Sequence, residues 1–476
     1  MKKIGIVLGI SIALLSALGC AVNPVTGKKE LSLISNEQEV ALGQQTDGEI
    51  RQQFGVYDDP SLTSYVESIG KALVPYAHRP ELEYHFAVLD TPVVNAFAVP
   101  GGYIYLTRGI LALMNSEAEM AVVLGHELGH VNARHSIRRM SQMMLAQVGL
   151  AVGSALSETV AKISGLAGVG IQLLFLKYSR DDEYQADSLG VEYSRKGGFN
   201  PGEMIGFFAS LEKLGDLSGG RSLPGFLSTH PLTKDRIQEV QLMLTASDQT
   251  LARNENTYLK KIAGLIYGDD PRQGYVEGQA FYHPELAFTF SVPEGWSVQN
   301  TPARVVLVSK DKNAALLLQA EKSADPLSDY ARKKGETIKG GRLVSEDRLN
   351  VPGFSSFHQI YDVSEENGDL LRLRLSLIRK GDLVYSLSAL AKSLDFASYD
   401  SLFKRTVQSF SELRDPKYLQ RSPLRLRLAE ADGRQALQEI FVRAGMKKEL
   451  WPQFAIMNGT ELDAVPPAGQ LIKTAS

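Results

Sequence analysis

Two histidines and a glutamate share one short segment, His126-Glu127-Leu128-Gly129-His130. On a helix, residues four apart are turned by about 400°, so both imidazoles lie on nearly the same face and can bind one metal ion. Glu127 lies about 100° around the helix, beside such a metal, where a general base for a water molecule must stand. The pattern therefore predicts a hydrolytic zinc centre.

A catalytic zinc site needs three protein ligands and an open position. A histidine six residues beyond His130 would serve, but Ser136 occupies that position, and His135 is expected to point elsewhere on the continuing helix and to be structural. The remaining donors are Glu183 and Asp187, four residues apart. Glu183 would ligate, and Asp187 would accept the second N–H of an imidazole and fix its tautomer. Taken alone, this pair also fits a solvated acidic face.

Local patterns predict the elements that position these residues. The stretch 93–106 is β-branched and aromatic around Pro100-Gly101-Gly102, which predicts two short strands and a tight turn. Ser116-Glu117-Ala118-Glu119 is a capping pattern that opens the helix of the two histidines. A further helix is predicted over 179–195, ending at Gly197-Gly198.

With these motifs the chain resembles the gluzincin metallopeptidases that include HtpX and the Ste-type CAAX prenyl endopeptidases, in their soluble, periplasmic BepA-like branch. The residues that carry the resemblance are Asn23-Pro24-Val25-Thr26-Gly27, Asn95-Ala96-Phe97, Pro100-Gly101-Gly102-Tyr103-Ile104-Tyr105, the histidine segment and 179–187. The resemblance ends at about residue 250, and no 34-residue repeat period follows.

The resemblance implies one zinc ion per chain, held by His126, His130 and Glu183, with Glu127 as the catalytic residue. It implies that a substrate strand lies along the 95–106 edge by β-addition.

The resemblance also implies that Ser228-Thr229-His230-Pro231 and Arg236 line the site. Two roles stay open for His230: a fourth zinc ligand that keeps the enzyme latent, or a donor that stabilises the oxyanion. Arg236 could supply the oxyanion donor in its place.

Charge and cysteine content exclude several classes. The chain has 51 Lys and Arg against 54 Asp and Glu, which gives no electrostatic footprint for nucleic acid. The single cysteine, Cys20, excludes an intramolecular disulfide framework. Lys2, Lys3 and the apolar run 4–18 precede it, which predicts a lipoprotein signal peptide over 1–19 and a lipid anchor on Cys20. An uncleaved membrane anchor is the alternative. By the usual sorting pattern of lipoproteins, Ala21, in place of Asp after the acylated cysteine, favours the outer membrane over retention at the inner membrane.

The fold class predicted is α+β. After a tether over 20–35, a mainly helical zincin-type peptidase domain with a short β edge is expected over 36–255. An α+β domain with an antiparallel sheet is expected over 275–413, with structural roles for His283 and His358. A small subdomain, which weakly resembles a LysM wall-binding module, is expected over 423–476.

Strict alternation marks the sheet of the middle domain. Four leucines alternate with polar residues, which predicts a strand with one buried face. These residues are Leu371, Arg372, Leu373, Arg374, Leu375, Ser376 and Leu377.

The function predicted is that of a zinc-dependent endopeptidase of the cell envelope acting on unfolded or misassembled proteins. The alternatives are a chaperone or assembly factor with mostly latent protease activity, and a wall- or partner-binding protein with a vestigial peptidase domain. Expected partners are polypeptide substrates, the membrane through the Cys20 anchor, and a cell-wall or protein partner of the C-terminal region.

Overall fold

The computed structural model describes residues 20–151, 177–217, 225–364 and 370–476. The predicted signal peptide lies outside the described residues. The chain divides into two compact units. The first holds the residues up to Arg51, Gly55–Gly268 and Leu424–Ser476, and the second holds Gln52–Phe54 and Asp269–Pro423.

Helices dominate the first unit. In chain order they are α1 (Asn36–Phe54), α2 (Pro60–Leu73), α3 (Arg108–Leu113), α4 (Glu117–Asn132), α5 (His135–Ala151), α6 (Arg180–Lys196), α7 (Glu203–Leu217), α8 (Gly225–Thr229), α9 (Lys234–Met243) and α10 (Glu255–Ile262). The apolar faces of most of them meet in one core, whereas α1 and α5 contribute Leu42, Ile137 and Met140 to a separate cluster. Within the described parts of the chain, every helix is too short or too polar to cross a bilayer.

An N-terminal hairpin precedes these helices where the sequence predicts a tether over 20–35. Strands β1 (Cys20–Val22) and β2 (Lys29–Leu31) pair antiparallel. Asn23 is buried, and its Oδ1 accepts from two following backbone N–H groups at 2.9 and 3.1 Å. Its Nδ2 donates to the carbonyl of Ala133 at 3.3 Å. This one polar side chain therefore ties the hairpin to the folded unit.

A three-stranded sheet lies beside the histidine helix. Its strands are β3 (His85–Leu89), β4 (Ala96–Val99) and β5 (Tyr103–Thr107), in the order β3-β5-β4, with β4 antiparallel to β5. The turn between β4 and β5 needs glycine: Gly102 has φ +93°, and a Cβ there would lie 2.3 Å from the carbonyl oxygen of Glu83. The predicted pair of strands is present around this turn.

The second unit is built mainly of antiparallel strands. They are β6 (Tyr275–Glu277), β7 (Ala280–His283), β8 (Phe288–Ser291), β9 (Ser297–Thr301), β10 (Arg304–Val308), β11 (Ala314–Lys322), β12 (Gly341–Asp347), β13 (Ser355–Ser364), β14 (Leu370–Lys380), β15 (Leu383–Lys392) and β16 (Ser411–Glu412). Its helices are α11 (Leu327–Glu336), α12 (Phe396–Gln408) and α13 (Pro416–Leu419). One sheet has the order β12-β13-β14-β15-β11-β10-β9 and the other β16-β8-β7-β6. The α+β class is confirmed.

The middle of strand β14, residues 374–378, is buried on both faces, so the prediction of one buried face is wrong there. Leu375 and Leu377 pack into a cluster with Tyr330 of α11 on one side. Arg374, on the other side, has no exposed surface because its guanidinium pairs at 2.6 Å with Asp347 and also at 2.6 Å with Asp400 of α12. Because two carboxylates pair with its charge, Arg374 can be buried although its residue type and position predict a solvent-exposed side chain.

The C-terminal residues return to the first unit. They form β17 (Leu426–Glu430), α14 (Leu437–Arg443), α15 (Trp451–Met457) and β18 (Leu471–Ala475), and the two strands pair antiparallel. Their buried side chains belong to the same core as α2 and α4. Two short strands and two short helices cannot bury enough apolar surface alone, which explains why this predicted subdomain shares a core.

Candidate active site

Hydrogen bonds fix the start of α4, the helix of the two histidines. The hydroxyl of Ser116 accepts from the backbone N–H of Glu119 at 3.0 Å. The Glu119 carboxylate accepts in turn from the backbone N–H of Asn115 at 2.7 Å. These caps satisfy N–H groups that a helix start leaves unpaired. Every residue of α4 is buried, so the helix offers His126 and His130 a rigid support.

Helix α6 carries the two predicted carboxylates. A capping box opens it: Ser179 Oγ accepts from the N–H of Asp182 at 3.2 Å, and Asp182 accepts from the N–H of Ser179 at 3.0 Å. Glu183 and Asp187 lie one turn apart and are both buried. The structure brings them against the histidines and does not leave them on a solvated face.

Small residues let α4 and α6 approach closely. A Cβ added at Gly129 would lie 3.1 Å from the Cα of Ala186, and one added at Gly125 would lie 3.1 Å from the Cα of Gly190. A Cβ at Gly190 would in turn meet the backbone nitrogen of His126 at 3.1 Å. The two helix backbones are therefore in direct contact along this line.

Four side chains converge on one point: His126, His130, Glu183 and His230 offer donor atoms that all lie within 4.8 Å of one another. Nε2 of His126 is 3.0 Å from Nε2 of His130 and 3.2 Å from Nδ1 of His230. That Nδ1 is 3.0 Å from Oε1 of Glu183. Buried ring nitrogens this close repel one another unless a proton or a cation lies between them. Imidazole and carboxylate donors are the set that zinc takes in proteins, so these residues fit a zinc ion.

Asp187 and Arg236 surround this donor cluster. Oδ1 of Asp187 lies 2.9 Å from Nδ1 of His126, which leaves Nε2 of that ring facing the cluster. Arg236 donates twice to Asp187, at 2.7 Å each, and its Nη1 lies 2.7 Å from Oε2 of Glu183. Burial opposes the charged form of Asp187, but Arg236 and the His126 ring outweigh it and lower the pKa of the carboxyl. With its donors so engaged, Arg236 has the geometry of a positioning residue. Its role as oxyanion donor stays a prediction.

Glu127 stands beside the cluster and outside the donor set. Its carboxylate is fully buried, neither oxygen has a hydrogen-bond partner of good geometry among the described residues, and Oε1 lies 3.6 Å from Nε2 of His230. Burial raises the pKa of Glu127, while His230 and His126 oppose the shift. A carboxylate with a raised pKa and unused acceptor positions is suited to take up a proton.

His230 is the one member of the Ser228-Thr229-His230-Pro231 segment in the donor cluster. Its backbone N–H donates to the carbonyl of Phe226 at 2.8 Å, and its ring stacks on the Phe226 ring with centroids 4.6 Å apart. Burial disfavours the charged imidazole, but Glu183 and Glu127 outweigh this and raise the pKa of His230. The position suits either of the two roles predicted for it.

His135 and Tyr178 contact the His130 ring and Gln185 contacts His135, and the sequence did not predict these contacts. The helix does not continue as expected, because Arg134 adopts φ +54° and a new helix begins at His135. That turn brings Nδ1 of His135 to 2.8 Å from Nδ1 of His130, while Nε2 of His135 lies 2.9 Å from Oε1 of Gln185. The ring of Tyr178 stacks on His130 with centroids 3.9 Å apart. A left-handed backbone conformation at Arg134 has no clear signal in the sequence, which explains why the break in the helix and the contact of His135 with His130 were not predicted.

Strand β4 lies at the end of the β3-β5-β4 order and packs beside α4. All four of its residues are buried. The backbone N–H of Ala98 faces the Glu127 carboxylate and favours its charged form. The predicted substrate edge is therefore next to the predicted base.

Comparison with known proteins agrees with this geometry. Residues 60–243 match Peptidase family M48. The chain is 32% identical over 228 residues to the beta-barrel assembly-enhancing protease of Yersinia pestis, covering 46% of each chain. It is 27% identical over 222 residues to the mitochondrial metalloendopeptidase OMA1 of Schizosaccharomyces pombe, covering 46% of this chain and 64% of that one. The match spans about half the length of the beta-barrel assembly-enhancing proteases.

The matched region contains the histidine helix, the carboxylate helix and His230, so the family match and the donor cluster concern the same part of the chain. This part of the chain is therefore similar to Peptidase family M48.

Proposed function

We propose that this protein is a zinc-dependent endopeptidase of the cell envelope that acts on unfolded or misassembled proteins. One observation carries the proposal: buried donors from α4 and α6 converge on one point, beside a buried glutamate that is not itself a donor. Two of the relatives are named beta-barrel assembly-enhancing proteases, and this name supports the proposal that the substrates are envelope proteins.

His126, His130 and Glu183 would hold the metal, with His230 as a fourth ligand in the resting state. Zinc bound there would supply a Lewis acid that polarises a peptide carbonyl and makes water more acidic. Glu127 takes up the proton of the attacking water on a carboxylate oxygen and passes it to the nitrogen of the leaving amine. Asp187 and Arg236 hold His126 and Glu183 in place through the contacts described above.

The substrate is a polypeptide in extended form. Among the described strands, β4 pairs with β5 at the end of the order β3-β5-β4, and a substrate strand is proposed to add beside it by backbone hydrogen bonding. A peptide there would run beside Glu127, because the Ala98 N–H of the same strand faces that carboxylate.

Export and anchoring are part of the proposal. The pattern that ends at Cys20 supports a lipoprotein signal peptide, acylation of this cysteine and an outer-membrane location with the peptidase on the periplasmic side. The strand–helix–helix–strand order of 426–475 is compatible with the LysM-like wall-binding role considered from the sequence, and a protein partner is the alternative.

The test compares the wild type with Glu127→Gln. Both proteins should bind one zinc per chain by metal analysis, and the variant should lose about two or more orders of magnitude in the rate at which it cleaves a denatured envelope protein. Loss of zinc in Glu127→Gln would contradict the role of Glu127 as a base. A wild type without zinc or cleavage would contradict the proposed function.

A chaperone or assembly role with a mostly latent protease is the second candidate, and burial of the site favours it. The four donor residues and Glu127 are each at most 2% exposed. A chaperone predicts that wild type and Glu127→Gln suppress aggregation of a denatured envelope protein equally well at a stage when neither has cleaved it. Suppression by neither protein would exclude this candidate.

A further inference from the structure

We propose that His135 is a positioning residue for the metal centre: its ring accepts the Nδ1–H of His130 and thereby keeps Nε2 of His130 free for the metal, while Gln185 orients His135 from behind. The inference deepens the proposed function and rests on it for the identity of the metal. It concerns a histidine that the sequence alone marks as structural.

The contacts form a continuous chain away from the donor cluster. Nδ1 of His130 lies 2.8 Å from Nδ1 of His135, and Nε2 of His135 lies 2.9 Å from Oε1 of Gln185. His135 is 1% exposed, so both contacts lie away from bulk solvent. The ring centroids lie 4.9 Å apart and the ring planes are twisted by 74°, an arrangement that a hydrogen bond along the Nδ1–Nδ1 line allows.

The positions of the protons follow from these contacts. Nε2 of His130 faces the other donors, so it must present a lone pair to bind a metal, and Nδ1 must carry the proton. Nδ1 of His135 is then the acceptor, and its Nε2 carries a proton that needs an acceptor of its own. The amide oxygen of Gln185 supplies it. Each of the three side chains then has one consistent role. If His135 donated to His130 instead, His130 would have to lose both ring protons to bind a metal through Nε2.

The partners of the two histidine ligands differ in charge. His126 faces the carboxylate of Asp187, whose charge Arg236 balances through two contacts of 2.7 Å. His130 faces a ring that is neutral in this arrangement. A neutral acceptor fixes the tautomer of His130 without adding a further negative charge beside Glu183 and Asp187, which already share one arginine.

The experiment measures zinc affinity by competition with a chelator, together with the visible spectrum of the Co²⁺-substituted protein. In His135→Asn, the amide oxygen replaces Nδ1 as an acceptor, whereas His135→Leu has similar bulk and no acceptor. We expect His135→Leu to bind zinc about 10- to 100-fold more weakly and to change the Co²⁺ spectrum, and His135→Asn to stay close to wild type. The matched control is His78→Leu, which removes another hydrogen-bonded histidine of the same unit, paired with Tyr193 at 2.7 Å. The control should keep the wild-type affinity.

Equal zinc affinity in wild type, His135→Leu and His135→Asn would overturn the inference. Equal weakening in Leu and Asn variants would overturn it too, because packing and not an acceptor would then matter. If His135→Leu does not fold, Gln185→Met tests the inference instead. A weaker zinc complex with an altered Co²⁺ spectrum would support the hydrogen-bonded series from His130 through His135 to Gln185, and an unchanged complex would refute it. A wild type that binds no zinc would instead refute the proposed function.

Discussion

A lysine in the last strand is buried in the core of the peptidase unit, and its replacement tests whether the C-terminal region supports that unit. Lys473 of β18 has no exposed surface, and its Nζ donates to the carbonyls of Ala112, Leu113 and Met114 at 2.9 to 3.0 Å. These are carbonyls at the end of α3, which have no partner within the helix. Burial lowers the pKa of Lys473 and the carboxylate of Glu119 opposes the shift. Three acceptors select the ammonium form, because a neutral amine has two protons to donate.

The change to test is Lys473→Met, which keeps the length of the side chain and removes its charge and donors. An unpaired buried polar group costs about 1 to 3 kcal/mol, and removing one partner of a buried charged contact costs about 3 to 5 kcal/mol. The three orphaned carbonyls lie together and can relax, so their costs do not simply add. We expect the free energy of unfolding of the first unit to fall by about 3 to 5 kcal/mol.

Tryptophan fluorescence can isolate that unit. The chain has two tryptophans, of which Trp296 lies in the second unit and Trp451 in the first. In a Trp296→Phe background, urea unfolding followed by Trp451 therefore reports the first unit. Lys213→Met is the control, because Lys213 is 53% exposed and pairs with an exposed Glu461, an arrangement that contributes about 0 to 1 kcal/mol. Equal stability losses in Lys473→Met and Lys213→Met would refute the reasoning.

Four further changes test other parts of the site and the anchor. Glu183→Ala should weaken zinc binding by at least about 10-fold in a chelator competition while the circular dichroism stays unchanged; tight binding would mean that another donor replaces it. Arg236→Met should weaken zinc binding and raise KM little, since Arg236 contacts Glu183 and Asp187; a normal zinc affinity with a kcat about 100-fold lower would instead favour the oxyanion role. His230→Ala should keep zinc and cleave faster if His230 is a ligand of the latent state, or cleave about 100-fold more slowly if it stabilises the oxyanion. Cys20→Ser, exported with another signal, should move from the detergent phase to the aqueous phase, and a wild type already in the aqueous phase would exclude the lipid anchor.

The parts of the fold that follow from local patterns could be predicted from the sequence. Ser116 begins a helix as its capping pattern predicts, and the helix predicted from residue 179 begins there, since the capping hydrogen bonds of both serines involve residues only three apart. The β4–β5 turn is encoded by glycines with positive φ. The contact between Glu183 and the histidine helix could be predicted although it is long-range, because a zinc site needs a third protein donor.

Contacts without such a requirement could not be predicted. The burial of Arg374 depends on Asp347 and Asp400, which lie 27 and 26 residues away and have no spacing rule that links them to it. Lys473 meets carbonyls about 360 residues earlier in the chain. In both cases the residue type alone predicts a solvent-exposed side chain, and only the tertiary fold supplies the partners that offset the free-energy cost of burying it.

The distance between α4 and α6 decides whether the motif becomes a site, and it depends on residues without chemistry of their own. Two helices packed through larger side chains have axes about 8 to 10 Å apart. Gly125, Gly129 and Gly190 remove side chains from the line of contact, so that backbone meets backbone where a Cβ would have about 3.1 Å of space. Glu183 and Asp187 are short side chains, and from a helix held farther away they would not reach His126 within hydrogen-bond or ligand distance. Gly129, within the histidine segment, therefore lets the carboxylate helix approach closely, while Glu127, about 100° around the helix from His126, stays available to accept a proton.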